Sequence, residues 1–351
     1  MKLFTCTNCG ETLYFENTWC QNCGYSAGLI EENNQLSALS AMQGQKFING
    51  KTKNSYHYCA NYQFNVCNWL VPDNTNVIFC KACELNRTIP NLQNQEYRGH
   101  WTKIESAKHR LIYSLFRLEL PFMCKLANGA RGLCFDFVAD DKDKKVFTGH
   151  ESGLITINIA EADDIEREMI KRNMHEPYRT ILGHFRHEAG HYYWDILITG
   201  SNNIESFRQL FGDERRDYGE ALQKHYNNGA LANWTENYIS AYASAHPWED
   251  WAETWAHYMH IMDTLETAYS FDIQVKPGVA KTKTLNAHIS DDPYTEKSFE
   301  KIIQQWLPLT FAMNSLNRSM GVADIYPFVI TPVVKKKLEY VHNLCFGLRR
   351  K

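Results

Sequence analysis

Eight of the eleven cysteines lie between residues 6 and 83, and their spacing constrains the fold more than any other feature of the chain. Cys6 and Cys9 stand in CTNCG, and Cys20 and Cys23 in CQNCG. Two such pairs can wrap four thiolates tetrahedrally around one Zn²⁺ at about 2.3 Å. Gly10 and Gly24 supply the backbone freedom for the tight turns that aim amide N–H groups at the sulfurs. A second set, Cys59, Cys67, Cys80 and Cys83, is looser, because ANYQFNV separates its first pair while CKAC closes it. It still predicts a second four-cysteine site, with His57 either replacing one thiolate or lying on the surface. This is zinc spacing, not a disulfide framework, and it suits a reducing compartment. Cys124, Cys134 and Cys345 read as small buried apolar residues.

Closed four-thiolate sites leave no coordination position for chemistry, so both modules read as structural zinc that lets a core-poor segment fold. Docking of a protein partner is the task that fits them. Residues 1–95 carry six Lys plus Arg against six Asp plus Glu, and the whole chain has a formal charge of -3. That balance lacks the basic footprint of a nucleic-acid binder. The expected organisation is a zinc ribbon at 1–28, a polar linker at 29–56, a second cysteine module at 57–92 and a large domain at 97–351. The first CxxC begins at residue 6, leaving no room for a secretory apolar run, and no stretch of about 18 apolar residues occurs. A cytoplasmic protein without a membrane partner is expected.

The large domain reads as α+β, a small sheet followed by a mostly helical part. Helical spacing over 101–119 ends at Pro121; alternation marks strands in 132–140, 145–150 and 153–163; a helix starts near Ile165. Further helices are expected at 213–227, 236–245, 247–268, 296–319 and 331–347.

Between these parts stands LGHFRHEAGHYYWD, residues 182–195, with Pro177 placed where a first helical turn would begin. On a helix, His187 and His191 are one turn apart and can bind one metal, while Glu188 projects beside them to take a proton from a bound water. Tyr178, Ile181, Leu182, Phe185, Ala189, Tyr192 and Ile196 form an apolar stripe. His184 extends the histidine face, as a support or a surface residue.

A catalytic zinc needs a third protein ligand and an open position. A third histidine in the HExxHxxGxxH manner is excluded, because Trp194 and Leu197 occupy its glycine and histidine positions. Asp213 or Asp217, in FGDERRDYGEAL, is one remaining source. A better one is AHPWEDWAETWAHYMH, residues 245–260, with His246 at the N-cap, Pro247 at N1, and Glu249, Glu253 and His257 along one side. Glutamates four apart let one bind metal while the other accepts the N–H of a liganding imidazole. Either could instead serve only the helix, Glu249 through capping.

EDWAETW is similar to the ExxAE-aromatic helix of gluzincin metallopeptidases of the anthrax lethal factor type. That resemblance implies Glu249 as zinc ligand, Glu253 as the support of His187, and Tyr242, seven residues before the ligand, as stabiliser of the tetrahedral intermediate. Aligning AETWA with the NEGFA of aminopeptidase gluzincins would make Glu253 the ligand instead. Through CNWLVP, ACELNRTIP, EPYRTILGHFRHEAGHYYWD and HPWEDWAETWAHYMH, the whole chain resembles bacterial zinc-binding metallopeptidases with an N-terminal zinc-ribbon region. The gap from His191 to Glu249 is longer than in well-studied gluzincins.

The resulting expectation is a zincin-like peptidase, an endopeptidase rather than an exopeptidase, with one catalytic and two structural zinc ions and a peptide or protein substrate. Glu188 acts as general base, and Tyr242, with His246 as an alternative donor, binds the oxyanion. GLITINIA is the edge strand expected to align a peptide. The alternatives are a zinc hydrolase of non-peptide amides or esters, and an inactive zinc-stabilised interaction module.

Overall fold

The computed structural model describes residues 2–42, 46–141, 145–173, 180–279 and 281–349. Pro177 and Tyr178, expected at the start of the HEAGH helix, lie outside the described residues. The chain forms two units, Met1–Arg117 with Pro121–Ile170, and Leu118–Leu120 with Lys171–Lys351. The architecture is α+β, with the sheets concentrated in the first unit.

In the first unit, β1 (Phe4–Thr5) and β2 (Thr12–Leu13) pair as a short ribbon around the first cysteines. Next comes an antiparallel sheet of β3 (Ser26–Ile30), β4 (Gln35–Ala41), β5 (Phe47–Asn49), β6 (Ser55–Tyr58) and β7 (Leu70–Pro72), in chain order. A bridge between Leu29 and Trp69 curls the sheet back on itself around Ile30, Leu39, Tyr56 and Leu70. Residues 29–56 are therefore not a linker. The strands escape a search for alternation because SAGLI and QLSALSA mix small and aliphatic residues that are buried on both faces, and Asn34, at φ 50°, turns the chain between them.

A second sheet has the order β10-β11-β9-β8, from β8 (Asn86–Thr88), β9 (Cys134–Val138), β10 (Gly149–Glu151) and β11 (Leu154–Asn158). Strand β11, within GLITINIA, pairs antiparallel with β10 and parallel with β9, so it is interior and cannot add a peptide strand. Helix α1 (Gln95–Arg117) buries Trp101, Ile104, Leu111, Ile112 and Leu115, together with a Lys108–Glu105 ion pair at 2.8 Å. Two shorter helices, α2 (Lys125–Asn128) and α3 (Asp164–Asn173), complete this unit and lead into the next. Cys134 is buried, and Cys124 is half-buried with its thiol on the Glu84 carbonyl. The sheet and α1 thus group with the cysteine modules.

The second unit is helical: α4 (Ile181–Leu197), α5 (Ile204–Phe211), α6 (Tyr218–Asn228), α7 (Trp234–Asn237), α8 (Pro247–Ser270), α9 (Phe299–Ser319) and α10 (Pro332–Leu348). A small ribbon of β12 (Gln274–Val275) and β13 (Ala287–His288) precedes α9. The helix expected at 236–245 is absent. Its place is taken by the end of α7, an extended Tyr238 and a 3₁₀ turn at Tyr242–Ser244. The Ser240 hydroxyl accepts the Ala243 N–H at 3.1 Å, a local bond that competes with helix formation.

Helix α8 is buried along most of its length and is the axis of this unit. Against it α4 packs so closely that a Cβ on Gly190 would lie 2.9 Å from Ala252 Cα, and Trp251 Nε1 donates to the Gly190 carbonyl at 2.8 Å. Arg186 ties α4 to Asp263 and His260 on α8, and Lys337 of α10 donates to Asp250 at 2.6 Å. No helix among the described residues is long and apolar enough to cross a membrane.

Candidate metal centre

Thr180 caps α4 by accepting the Gly183 N–H at 2.9 Å, so HEAGH sits on a well-started helix. His246 caps α8: its Nδ1 accepts the Trp248 N–H at 3.1 Å, and its Nε2 lies 3.2 Å from the Arg216 carbonyl. Both of its nitrogens are thus committed to backbone, which leaves neither for a substrate oxygen. Pro247 at N1 then starts α8, one residue before Trp248 and two before Glu249.

The two helices bring His187, His191 and Glu249 together, with one ligand atom from each within 4.8 Å of the others. Glu249 is 1% exposed, and its Oε2 lies 3.0 Å from His187 Nε2 and 3.6 Å from His191 Nε2 without accepting a hydrogen bond. Zinc bonds to nitrogen and oxygen of about 2.0–2.1 Å imply a tetrahedral edge of about 3.3 Å, which these separations bracket. The donor set therefore fits a zinc ion. Glu253 faces the other side of the same imidazole, its Oε1 accepting from His187 Nδ1 at 2.7 Å while its Oε2 accepts from Ser240 at 2.6 Å. That bond puts the proton on Nδ1 and leaves the Nε2 lone pair facing Glu249.

The buried charges act strongly on one another. Burial would lower the His187 pKa, but Glu249 and Glu253 hold it well above the ordinary imidazole value. Burial would raise Glu249, but the two histidines hold it well below the usual carboxylate range. Glu188, 8% exposed, is pushed up by burial, against the pull of His187 and His191.

Tyr218 and Trp248, to which no sequence motif gives a role, also stand around this group. Tyr218 donates to Glu249 Oε1 at 2.6 Å, and Trp248 lies against His191 with ring centroids 4.0 Å apart. Tyr242, half-buried, has its ring 6.0 Å from that of His187 and 5.9 Å from His225. Tyr218 and His225 are seven apart on α6, a one-face spacing that could have marked them. Asp213 is paired with Arg215, and Asp217 caps α6 through the Glu220 N–H; His257 is held by the Tyr326 hydroxyl. His184 stands outside the metal-ligating group.

In the first unit both cysteine sets are assembled: Cys6, Cys9, Cys20 and Cys23, and Cys59, Cys67, Cys80 and Cys83. The Cys6–Cys23, Cys9–Cys20 and Cys67–Cys80 sulfur separations are 3.7, 3.6 and 3.7 Å. A tetrahedral zinc–thiolate site has an edge of about 3.8 Å, whereas a disulfide is about 2.05 Å. Gly10 and Gly24, at φ 80° and 73°, make the predicted turns by donating to the carbonyls of Cys6 and Cys20. His57 lies apart, on the Val77 carbonyl and near Asp73. The histidine that adjoins the second set is His109 of α1, with Nε2 3.7 Å from Cys83 Sγ and Nδ1 2.7 Å from the Glu105 carbonyl.

A family described as "Putative zinc-binding metallo-peptidase" matches residues 97–344, and a zinc-ribbon domain matches residues 3–94. Similar proteins include uncharacterized proteins of Mycobacterium bovis and of two strains of Mycobacterium tuberculosis. Each is 38% identical over 345 residues, covering 98% of this chain and 95% of the relative. No solved structure gives a significant match. With 248 residues of the chain inside the first match, the protein belongs to this zinc-binding metallo-peptidase family and carries its N-terminal zinc ribbon.

Proposed function

We propose that the chain is a zinc-dependent endopeptidase of the gluzincin kind, with His187, His191 and Glu249 holding the catalytic metal and Glu188 as general base. The observation that carries this reading is the approach of Glu249 Oε2 to the Nε2 atoms of both histidines. A zinc ion held there supplies Lewis acidity, lowering the pKa of a bound water toward about 7 and polarising a carbonyl.

The chain's own residues do the rest. Glu253, itself held by Ser240, fixes the orientation and tautomer of His187. Glu188, next to His187 in sequence and buried beside it, takes the proton of the attacking water and returns it to the leaving amine. The Tyr242 hydroxyl donates to the carbonyl oxygen as negative charge develops on it. The two four-cysteine sets hold structural zinc, for three ions in all.

The test is cleavage of an unfolded-protein library by the wild type and by Glu188→Gln. The variant should retain its zinc and lose about 10²–10⁴-fold in rate. Undiminished cleavage by the variant would sink the assignment. An uncut library with turnover of small amides or esters would move the protein to the non-peptide hydrolases.

A further inference from the structure

The carboxylate of Glu249 has two oxygens, and their surroundings differ. Oε2 faces the two imidazoles, whereas Oε1 accepts the Tyr218 hydroxyl at 2.6 Å. We propose that Tyr218 is a positioning residue that restricts Glu249 to a single metal-binding oxygen. This rests on the reading of Glu249 as a metal ligand.

A carboxylate with both oxygens free can chelate a metal through both, raising its coordination number and filling the position that a catalytic site keeps open. A strong donor on one oxygen opposes that. The phenol is placed for this task by its neighbours. Asp217 caps α6 through the Glu220 N–H at 2.7 Å, which sets Tyr218 in the first turn. Its ring then packs edge-on against His246 and Trp248, with centroids 5.3 and 5.6 Å away, and Trp248 in turn lies on His191. The first turn of α6 is thereby keyed to the first turn of α8, where Glu249 sits. A phenol serving only the substrate would have to leave Glu249 first.

The test uses the full chain with both cysteine sites loaded. Zn²⁺ affinity at the third site is measured by chelator competition, and the visible spectrum is recorded after Co²⁺ is placed there. For Tyr218→Phe the Zn²⁺ Kd should rise about 10- to 100-fold. The Co²⁺ bands should weaken as the carboxylate becomes bidentate. In a Glu249→Gln background the same substitution should have no further effect on Co²⁺ affinity, so the cycle still decides the question if the single variant folds poorly. Unchanged Kd and spectrum overturn the proposal while leaving the metal site intact. So does a loss of the same size in both backgrounds. A wild-type chain that takes up no third ion overturns the site reading, and this proposal with it.

Discussion

At the scale of single residues, the candidate site depends on what each buried polar atom faces. His187 is bracketed by two glutamates, Glu249 at Nε2 and Glu253 at Nδ1, and only the first is close to His191. The choice between the two glutamates that sequence alone leaves open is thus a choice between two faces of one imidazole. Glu253 extends outward to Ser240, so serine, carboxylate and imidazole form one chain of bonds of 2.6 and 2.7 Å. Glu253→Gln should therefore weaken Zn²⁺ binding at this site about 10- to 100-fold without abolishing it. Isothermal titration of the variant, with the cysteine sites loaded, checks this; complete loss of the ion would instead make Glu253 the ligand.

At the scale of elements, the site exists because α4 and α8 pack with backbone close to backbone at Gly190 and Ala252. Gly190, inside HEAGH, permits the approach, since a Cβ there would meet Ala252 Cα at 2.9 Å and its carbonyl oxygen at 3.2 Å. Alanine is the better helix former by about 1 kcal/mol, but forcing a methyl group against backbone costs about 1–3 kcal/mol. Gly190→Ala should therefore lower the denaturation midpoint and loosen the metal site as the helices part. A raised midpoint with undiminished zinc affinity would contradict this. Elements also show what was legible in the sequence. Metal ligands on one helix or one knuckle impose fixed short spacings, so HExxH and both cysteine sets can be read directly. Ser240 reaches Glu253 across 13 residues and leaves no local period, while Tyr218, though it shares a helix face with His225, reaches Glu249 across 31 residues that no motif spans. The interior position of β11 and the strands within 29–56 were illegible for a related reason: pairing partners and two-sided burial are set by the folded sheet, not by alternation along one strand.

At the scale of the whole molecule, the chain divides its metal chemistry between two units. The first carries two closed thiolate sets, bound up with strands and with α1; the second carries the histidine–glutamate group on a helical frame. The family match from residue 97 runs through both units, so its boundary with the zinc ribbon is not a boundary between compact bodies. The α+β class and the order of sheet before helices are legible along the chain, because period and turn signals are local. The grouping of the small sheet with the cysteine modules is not, because that grouping depends on β8, three residues long, pairing with β9 some 49 positions away. On the proposed reading, a third metal held by His187, His191 and Glu249 accompanies two structural ones. Elemental analysis of zinc per chain tests it most directly. The intact protein should hold three ions and His187→Ala two, whereas the same count in both proteins would remove the third site.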